Sequence, residues 1–188
     1  MKIIVNDTTI YLSPWLCRSD VPYLVKWLQD KDISDKWSGG YDRIPYPYYE
    51  SHALTWLNKH QQYIDKYGKL SSAAIRDHNK NLIGEIDFVF NVPVNTRNTA
   101  EISYWLAKPY WGTGITTAVV REMCNIGFNQ FHLNKIVAHV EPANIGSNRV
   151  LQKNRFTEEG YLKEHFCNKN GTYYDVKLYG LISKEWET

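Results

Sequence analysis

At 188 residues, 43% hydrophobic and with a formal charge of +2, the chain is long enough for one well-buried core and lacks the charge of a dedicated nucleic-acid binder. Cys17, Cys124 and Cys167 are odd in number, far apart and without a Cys-x-x-Cys, so they are expected as unpaired core thiols in a reducing compartment rather than as disulfides or zinc ligands. The apolar run in MKIIVNDTTIYL is too short for a signal peptide, and no run approaches the ~20 residues of a membrane span, so a cytoplasmic protein without a membrane contact is expected.

The first expected element is a short strand, Thr9 to Leu12, ended by Ser13-Pro14. A helix from Val21 to about Gln29 follows, with Asp20 as N-cap and Pro22 in its first turn. Ser38 to Tyr48 is irregular, because Gly39, Gly40, Pro45 and Pro47 exclude regular structure. A second helix runs from Tyr49 to Tyr67, with Ala53, Leu54, Leu57 and Ile64 on one stripe and Gly68 at its end. Strands Leu70 to Arg76 and Leu82 to Phe90 flank the turn-forming group Asp77 to Asn81. After a polar loop, Asn91 to Asn98, comes a strand that alternates Ile102, Tyr104 and Leu106 against Glu101, Ser103 and Trp105.

Pro109, Gly112 and Gly114 break that strand, and apolar residues return at helical spacing at Ile115, Ala118, Val119, Met123 and Ile126. A short strand, Lys135 to Val140, and a helix from Ile145 to about Asn154, with Asn144 as N-cap, come next. Phe156 to Phe166 and Thr172 to Ile182 read as a hairpin turning through Asn168 to Gly171. Only the stretch around the two later helices has the β-α-β alternation that demands parallel neighbours. An α/β fold follows: a mixed, mostly antiparallel sheet of about seven strands, with helices on both faces, in one domain over residues 1–188.

The glycine turn at 112–114 opens a helix whose first amides have no partners inside the helix. Such amides, with the positive end of the helix dipole, suit a phosphate. A P-loop would need Lys-Ser/Thr where Ile115 and Thr116 stand, and a dinucleotide fingerprint would need a glycine at Thr117. Gly-x-Gly alone equally describes a plain tight turn.

What surrounds the turn decides between these. The runs EISYWLAKPYWGTGITTAVV and VEPANIGSNRVLQKNRF, in that order, together with IPYPYYESHALTWL and the tail GYLKE…NGTYYDVKLYGLI, resemble the GNAT N-acetyltransferases. Within them the chain looks most like the branch that includes the RimJ/RimL ribosomal-protein N-terminal acetyltransferases. The resemblance covers nearly the whole chain. It implies the GNAT fold, with a splayed parallel pair at the centre of a twisted sheet, acetyl-CoA as donor and a primary amine as acceptor. A homodimer is common among relatives, and no His/Cys/Asp spacing suggests a metal.

Carried over residue by residue, the resemblance assigns the CoA pyrophosphate to Trp111, Gly112, Thr113, Gly114, Ile115 and Thr116. The pantetheine arm falls to the backbone of Trp105, Leu106 and Ala107. Asn144 matches an asparagine that contacts the cofactor arm, with Asn148 and Lys153 on the following helix. The chain departs from the family pattern at Pro109, the first position of the loop, and at Leu151, where many members carry a thiolate-protonating tyrosine. Ser147 matches a serine used by RimL-like members, while their acidic partner falls at Phe166, two residues from Glu164.

An amine must lose a proton before it attacks a thioester. At pH 7 this costs roughly 1 kcal/mol for an α-amine of pKa about 7.7–8.0, and roughly 4–5 for a lysine near 10.4. An enzyme for N-termini can therefore manage with a modest base, while one for lysine or a polyamine needs more help. The resemblance makes a protein or peptide N-terminal amine the expected acceptor; a small amine such as a polyamine, or binding of acyl-CoA without turnover, are the alternatives. Glu101 is the candidate base, with Glu85 and Asp87 as rivals, and Ser147 is the candidate donor to the thiolate. His139 has no partner legible in the sequence and is expected to be structural. Trp37, Tyr41, Tyr46 and Tyr48 in the irregular stretch are expected to clasp the acceptor, or equally to cap the flanking helices.

Overall fold

The computed structural model describes residues 1–14, 16–36, 44–68, 71–90, 98–167 and 171–186. Among them are eight strands and six helices: β1 (Lys2–Val5), β2 (Thr8–Ser13), α1 (Val21–Leu28), α2 (Lys31–Lys36), α3 (Glu50–Tyr67), β3 (Ser72–Arg76), β4 (Leu82–Val89), β5 (Thr99–Leu106), α4 (Ile115–Asn129), β6 (Lys135–Val140), α5 (Ile145–Lys153), β7 (Thr157–Cys167), β8 (Tyr173–Ile182) and α6 (Ser183–Trp186). The strands make a mixed α/β architecture, mostly antiparallel, with β5 and β6 as its parallel pair. No helix among the described residues is long and apolar enough to cross a membrane.

The strand beyond the expected seven is β1. It pairs with β2 through a two-residue connection in which Val5 opposes Thr8 and both Asn6 (φ 45°) and Asp7 (φ 64°) are left-handed. Asn and Asp tolerate that conformation, and a turn with two such residues matches the twist of a hairpin. Asn-Asp between the β-branched runs IIV and TTI is thus a legible turn that the short apolar run obscures.

The chain forms two compact units, residues 1–88 with 103–119, and 89–102 with 120–188. In the first, the strand order is β1-β2-β3-β4 followed by the second half of β5. One core cluster joins Leu24 and Leu28 of α1, Ile33 of α2, Ile44, Tyr48, Ala53 of α3, Ala74, Leu82 and Trp105. α3 ends where Gly68 turns left-handed (φ 94°) and donates its N–H to Ile64 O at 2.8 Å. Gly84 of β4 is needed for close approach, because a Cβ there would lie 2.5 Å from the Trp105 carbonyl oxygen.

Asp20 is not the side-chain cap of α1. Its carboxylate turns away to accept from the Cys17 N–H at 2.8 Å and from both Arg76 terminal nitrogens at 2.6 and 2.8 Å. A buried carboxylate gains more from a guanidinium fork than from one helix amide.

In the second unit the first half of β5 pairs with β6, β6 with β8, and β8 with β7. The parallel ladder covers only three residue pairs, Thr99↔Lys135 to Glu101↔Val137, whereas β6 stays paired with β8 as far as Val140↔Lys177. Cys124 is a buried core thiol, as expected, and burial pushes its pKa up to about 12. Cys17 and Cys167 are exposed instead, Cys17 in the connection between β2 and α1 and Cys167 at the last position of β7.

Candidate active site

The glycine turn has the geometry its sequence promises. Gly112 (φ 76°) and Gly114 (φ 87°) are both left-handed, and a Cβ at Gly112 would meet nothing within 4 Å. Ala118 N–H bonds back to Gly114 O at 3.1 Å as α4 begins, and the Ile115 and Thr116 amides precede it. Asn6 Nδ2 braces the turn from the β1–β2 hairpin, donating to Thr113 O at 3.1 Å, and Thr113 Oγ1 donates to Tyr110 O at 2.7 Å. Gly112, Thr113 and Gly114 are exposed.

At the end of β5, Ala107 N–H donates to Ile83 O of β4 at 2.8 Å. Leu106 points its carbonyl to the other edge, where Trp111 Nε1–H donates to it at 2.7 Å. The Trp111 indole, 38% exposed, therefore ties the loop to the strand that feeds it.

On α5, Asn144 is the N-cap that was expected, its Oδ1 accepting from Ser147 N–H at 3.2 Å. Asn148 is buried: Nδ2 donates to Asn144 O at 2.7 Å and Glu141 O at 3.2 Å, and Oδ1 accepts from Tyr179. Lys153 is exposed at the helix end. Leu151, at the position of the family's tyrosine, is fully buried. Glu164 is exposed and left-handed (φ 49°), with its N–H donated to Asp175 Oδ1 at 2.8 Å.

Glu101 has a partner that the sequence did not reveal. His139 Nδ1 lies 3.0 Å from Glu101 Oε1, and the two side chains are 18% and 21% exposed. His165 of β7 stacks on the His139 ring at 5.7 Å and 18°, and Phe166 meets it edge-on at 5.6 Å. The parallel register explains the meeting, since Glu101 opposes Val137 and His139 is the next residue on that face. Strand register cannot be read from either strand alone.

The rivals Glu85 and Asp87 belong to a separate group in the first unit. Glu85 is fully buried; Trp56 Nε1 donates to its Oε2 at 3.0 Å, and Trp105 Nε1 lies 3.4 Å from the same oxygen. His60 Nδ1 is 2.8 Å from Glu85 Oε1, and Ser72 donates to Asp87. Burial first, and then the Glu85 charge, push Asp87 up to about 8, against the opposing pull of His60 and Ser72. Burial alone would lower His60, but the Glu85 hydrogen bond and the charges of Glu85, Asp87 and Asp20 outweigh it and raise it. Ligand atoms of His60, Glu85 and Asp87 fall within 4.8 Å of one another.

Of the aromatic residues expected at the acceptor, Tyr46 is 55% exposed, whereas Tyr48 is 3% exposed and part of the core cluster. Burial, then the Glu85 charge, raises the Tyr48 phenol. Trp37 and Tyr41 lie outside the described residues.

Residues 9–157 match a family model described as an acetyltransferase (GNAT) domain. The chain is 36% identical over 102 residues to the ribosomal-protein-serine acetyltransferase of Escherichia coli, covering 54% of this chain and 55% of that protein. It is 32% identical over 112 residues to the spermidine N(1)-acetyltransferase of Vibrio cholerae, covering 58% and 62%. The chain spans about half the length of the first curated relatives it matches. RimJ of Mycobacterium smegmatis, solved in complex with CoA-disulfide, shares its fold at a TM-score of 0.82 and 22% identity, over 100% of this chain and 88% of that one. The family match runs through the glycine turn and through Asn144 and Asn148, and on that ground the chain belongs to the GNAT acetyltransferase family.

Proposed function

We propose that this protein is an acetyl-CoA-dependent N-acetyltransferase whose acceptor is the N-terminal α-amine of a protein or peptide. The observation that carries the reading is the braced, doubly left-handed glycine turn that opens α4. Its amides would take the CoA pyrophosphate at Gly112 to Thr116, with Trp111 alongside. The pantetheine arm would run along the backbone of Trp105, Leu106 and Ala107, where the Ala107 N–H is held by Ile83 and the Leu106 carbonyl would pass from the Trp111 indole to an amide of the arm. Asn144, Asn148 and Lys153 complete the cofactor residues, Asn144 and Asn148 chiefly by fixing the start of α5. We also take the chain as one domain, a reading supported by the single family match across both units.

In the reaction the amine lone pair attacks the thioester carbonyl carbon, the N–C bond forms and the C–S bond breaks with its electron pair leaving on sulfur. The amine surrenders a proton near Glu101, and the thiolate gains one, with Ser147 as its candidate donor. Much of the acceleration comes from holding amine and thioester together. Tyr46 and Tyr48, with Trp37 and Tyr41, are the acceptor-side candidates. The identity to a spermidine acetyltransferase favours a second reading, in which a small polyamine is the acceptor.

Acetyl transfer to peptides with free N-termini, measured beside spermidine, tests both readings. Turnover of peptides alone supports the first reading, turnover of spermidine alone the second, and tight acetyl-CoA binding with no turnover would leave a binding module. Gly112→Glu places bulk and charge in the phosphate position and should abolish acetyl-CoA binding in a folded protein; unchanged affinity would overturn the loop assignment.

A further inference from the structure

The carboxylate first expected to act as the base is itself hydrogen-bonded, at 3.0 Å, to the imidazole of His139. We infer that His139 is the base that takes the proton from the acceptor amine and that Glu101 positions it, an assignment that rests on the acetyltransferase reading above. An ionised carboxylate only accepts, so its bond to Nδ1 requires the hydrogen on Nδ1 and, in the neutral ring, leaves the lone pair on Nε2. Among the described residues no group bonds Nε2. The ring is held on its remaining sides, stacked at 18° on His165 and meeting Phe166 at 76°. Two aromatic contacts and one hydrogen bond fix its plane, while 18% of the side chain stays open to an arriving group.

Its position along the strand supports the assignment. The parallel ladder ends at Glu101↔Val137, and His139 is the first residue of β6 past that end to share their face. In the step itself, the proton leaves the amine nitrogen for Nε2 as the N–C bond forms, and the positive charge on the imidazole lies against the Glu101 carboxylate. The Nδ1 hydrogen stays in place throughout. A base so oriented contributes about 10²–10⁴ in rate.

Three variants divide the roles. His139→Ala should lower kcat about 100-fold or more, with the KM for acetyl-CoA unchanged, and added imidazole should restore part of the loss. Glu101→Gln keeps an acceptor for Nδ1–H and should cost only about tenfold, less than a lost general base would. His139→Gln serves if the alanine variant does not fold. Nitrogen-resolved NMR of the His139 ring in the free wild-type protein should show the Nδ1–H form, with the form mixing in Glu101→Gln. The inference is overturned if Glu101→Gln is as damaging as His139→Ala, if imidazole restores nothing, or if the ring carries its hydrogen on Nε2. Should the wild type acetylate no amine, the acetyltransferase reading fails, and the NMR result still decides whether Glu101 presents Nε2.

Discussion

The phenol of Tyr179 donates a hydrogen bond to Asn148 Oδ1 at 2.9 Å, with both side chains buried. Together with the two bonds from Nδ2 to the Asn144 and Glu141 carbonyls, this occupies the amide of Asn148 on both sides. Asn148→Ala would strand a buried phenol and remove a tie between the β6–α5 turn and β8, at a cost of about 2–4 kcal/mol. Chemical denaturation checks this. A variant as stable as wild type, with only its acetyl-CoA affinity reduced, would instead make Asn148 a direct cofactor contact.

Asp20 and Arg76 make a paired fork whose side chains are 4% and 12% exposed. Burial by itself would raise the Asp20 carboxyl, but the Arg76 hydrogen bonds, the Cys17 amide and the Arg76 charge outweigh it and hold it below the ordinary carboxylate range. A depressed folded pKa means that this stabilisation is fully present above the unfolded value near 3.9 and is lost as pH falls through the folded one. Asp20→Asn leaves the guanidinium without its charge partner and should cost about 3 kcal/mol at pH 7. The difference from wild type should shrink below about pH 4; a constant difference in melting temperature down to pH 3 would sink the argument.

Much of this arrangement was legible beforehand, and what was hidden has a common cause. Helix α3, the turn at Asp77 and the glycine turn rest on local signals: periodicity, side-chain-to-backbone bonding and left-handed glycines. Asp77 Oδ1, for example, accepts from the Asn79 and Asn81 amides, both at 2.9 Å. The Glu101–His139 pair depends on the register of two strands separated by a whole helix, and the His60–Glu85–Asp87 group depends on how α3 lies over β3 and β4. Neither leaves a spacing in the chain. Asp20 shows a related failure, because a good N-cap residue was diverted by an arginine 56 positions away.

Tyr48 separates a structural role from a functional one. Its hydroxyl is buried and without a hydrogen-bond partner among the described residues. Removing an unsatisfied buried hydroxyl relieves a desolvation cost, so Tyr48→Phe should leave stability unchanged or raise it by about 1 kcal/mol. If the phenol also meets the acceptor, acetylation should fall while the melting temperature holds. A clear loss of stability would show that the hydroxyl is already satisfied in solution.

The group around Asp87 makes a prediction with the opposite sign to that at Asp20. Asp87 is pushed up to about 8, well above its unfolded value near 3.9, so the folded state keeps a proton that the unfolded chain gives up. The associated stabilisation is complete below about pH 4 and is lost as pH rises toward 8. His60, also raised, adds to the same trend: its share is full below about 6.5 and fades as pH climbs through its folded pKa. One retained proton gives a slope of up to about 1.4 kcal/mol per pH unit. Stability should therefore decline from pH 5 to 8.5, most steeply above about 6.5 where both groups contribute. Asp87→Asn mimics the neutral acid at every pH, so its stability should fall less over that range and should gain on wild type at the alkaline end. Melting temperatures measured for both proteins across the series decide the matter: parallel curves would mean that Asp87 is ionised in the folded protein and that the proton resides elsewhere in the group.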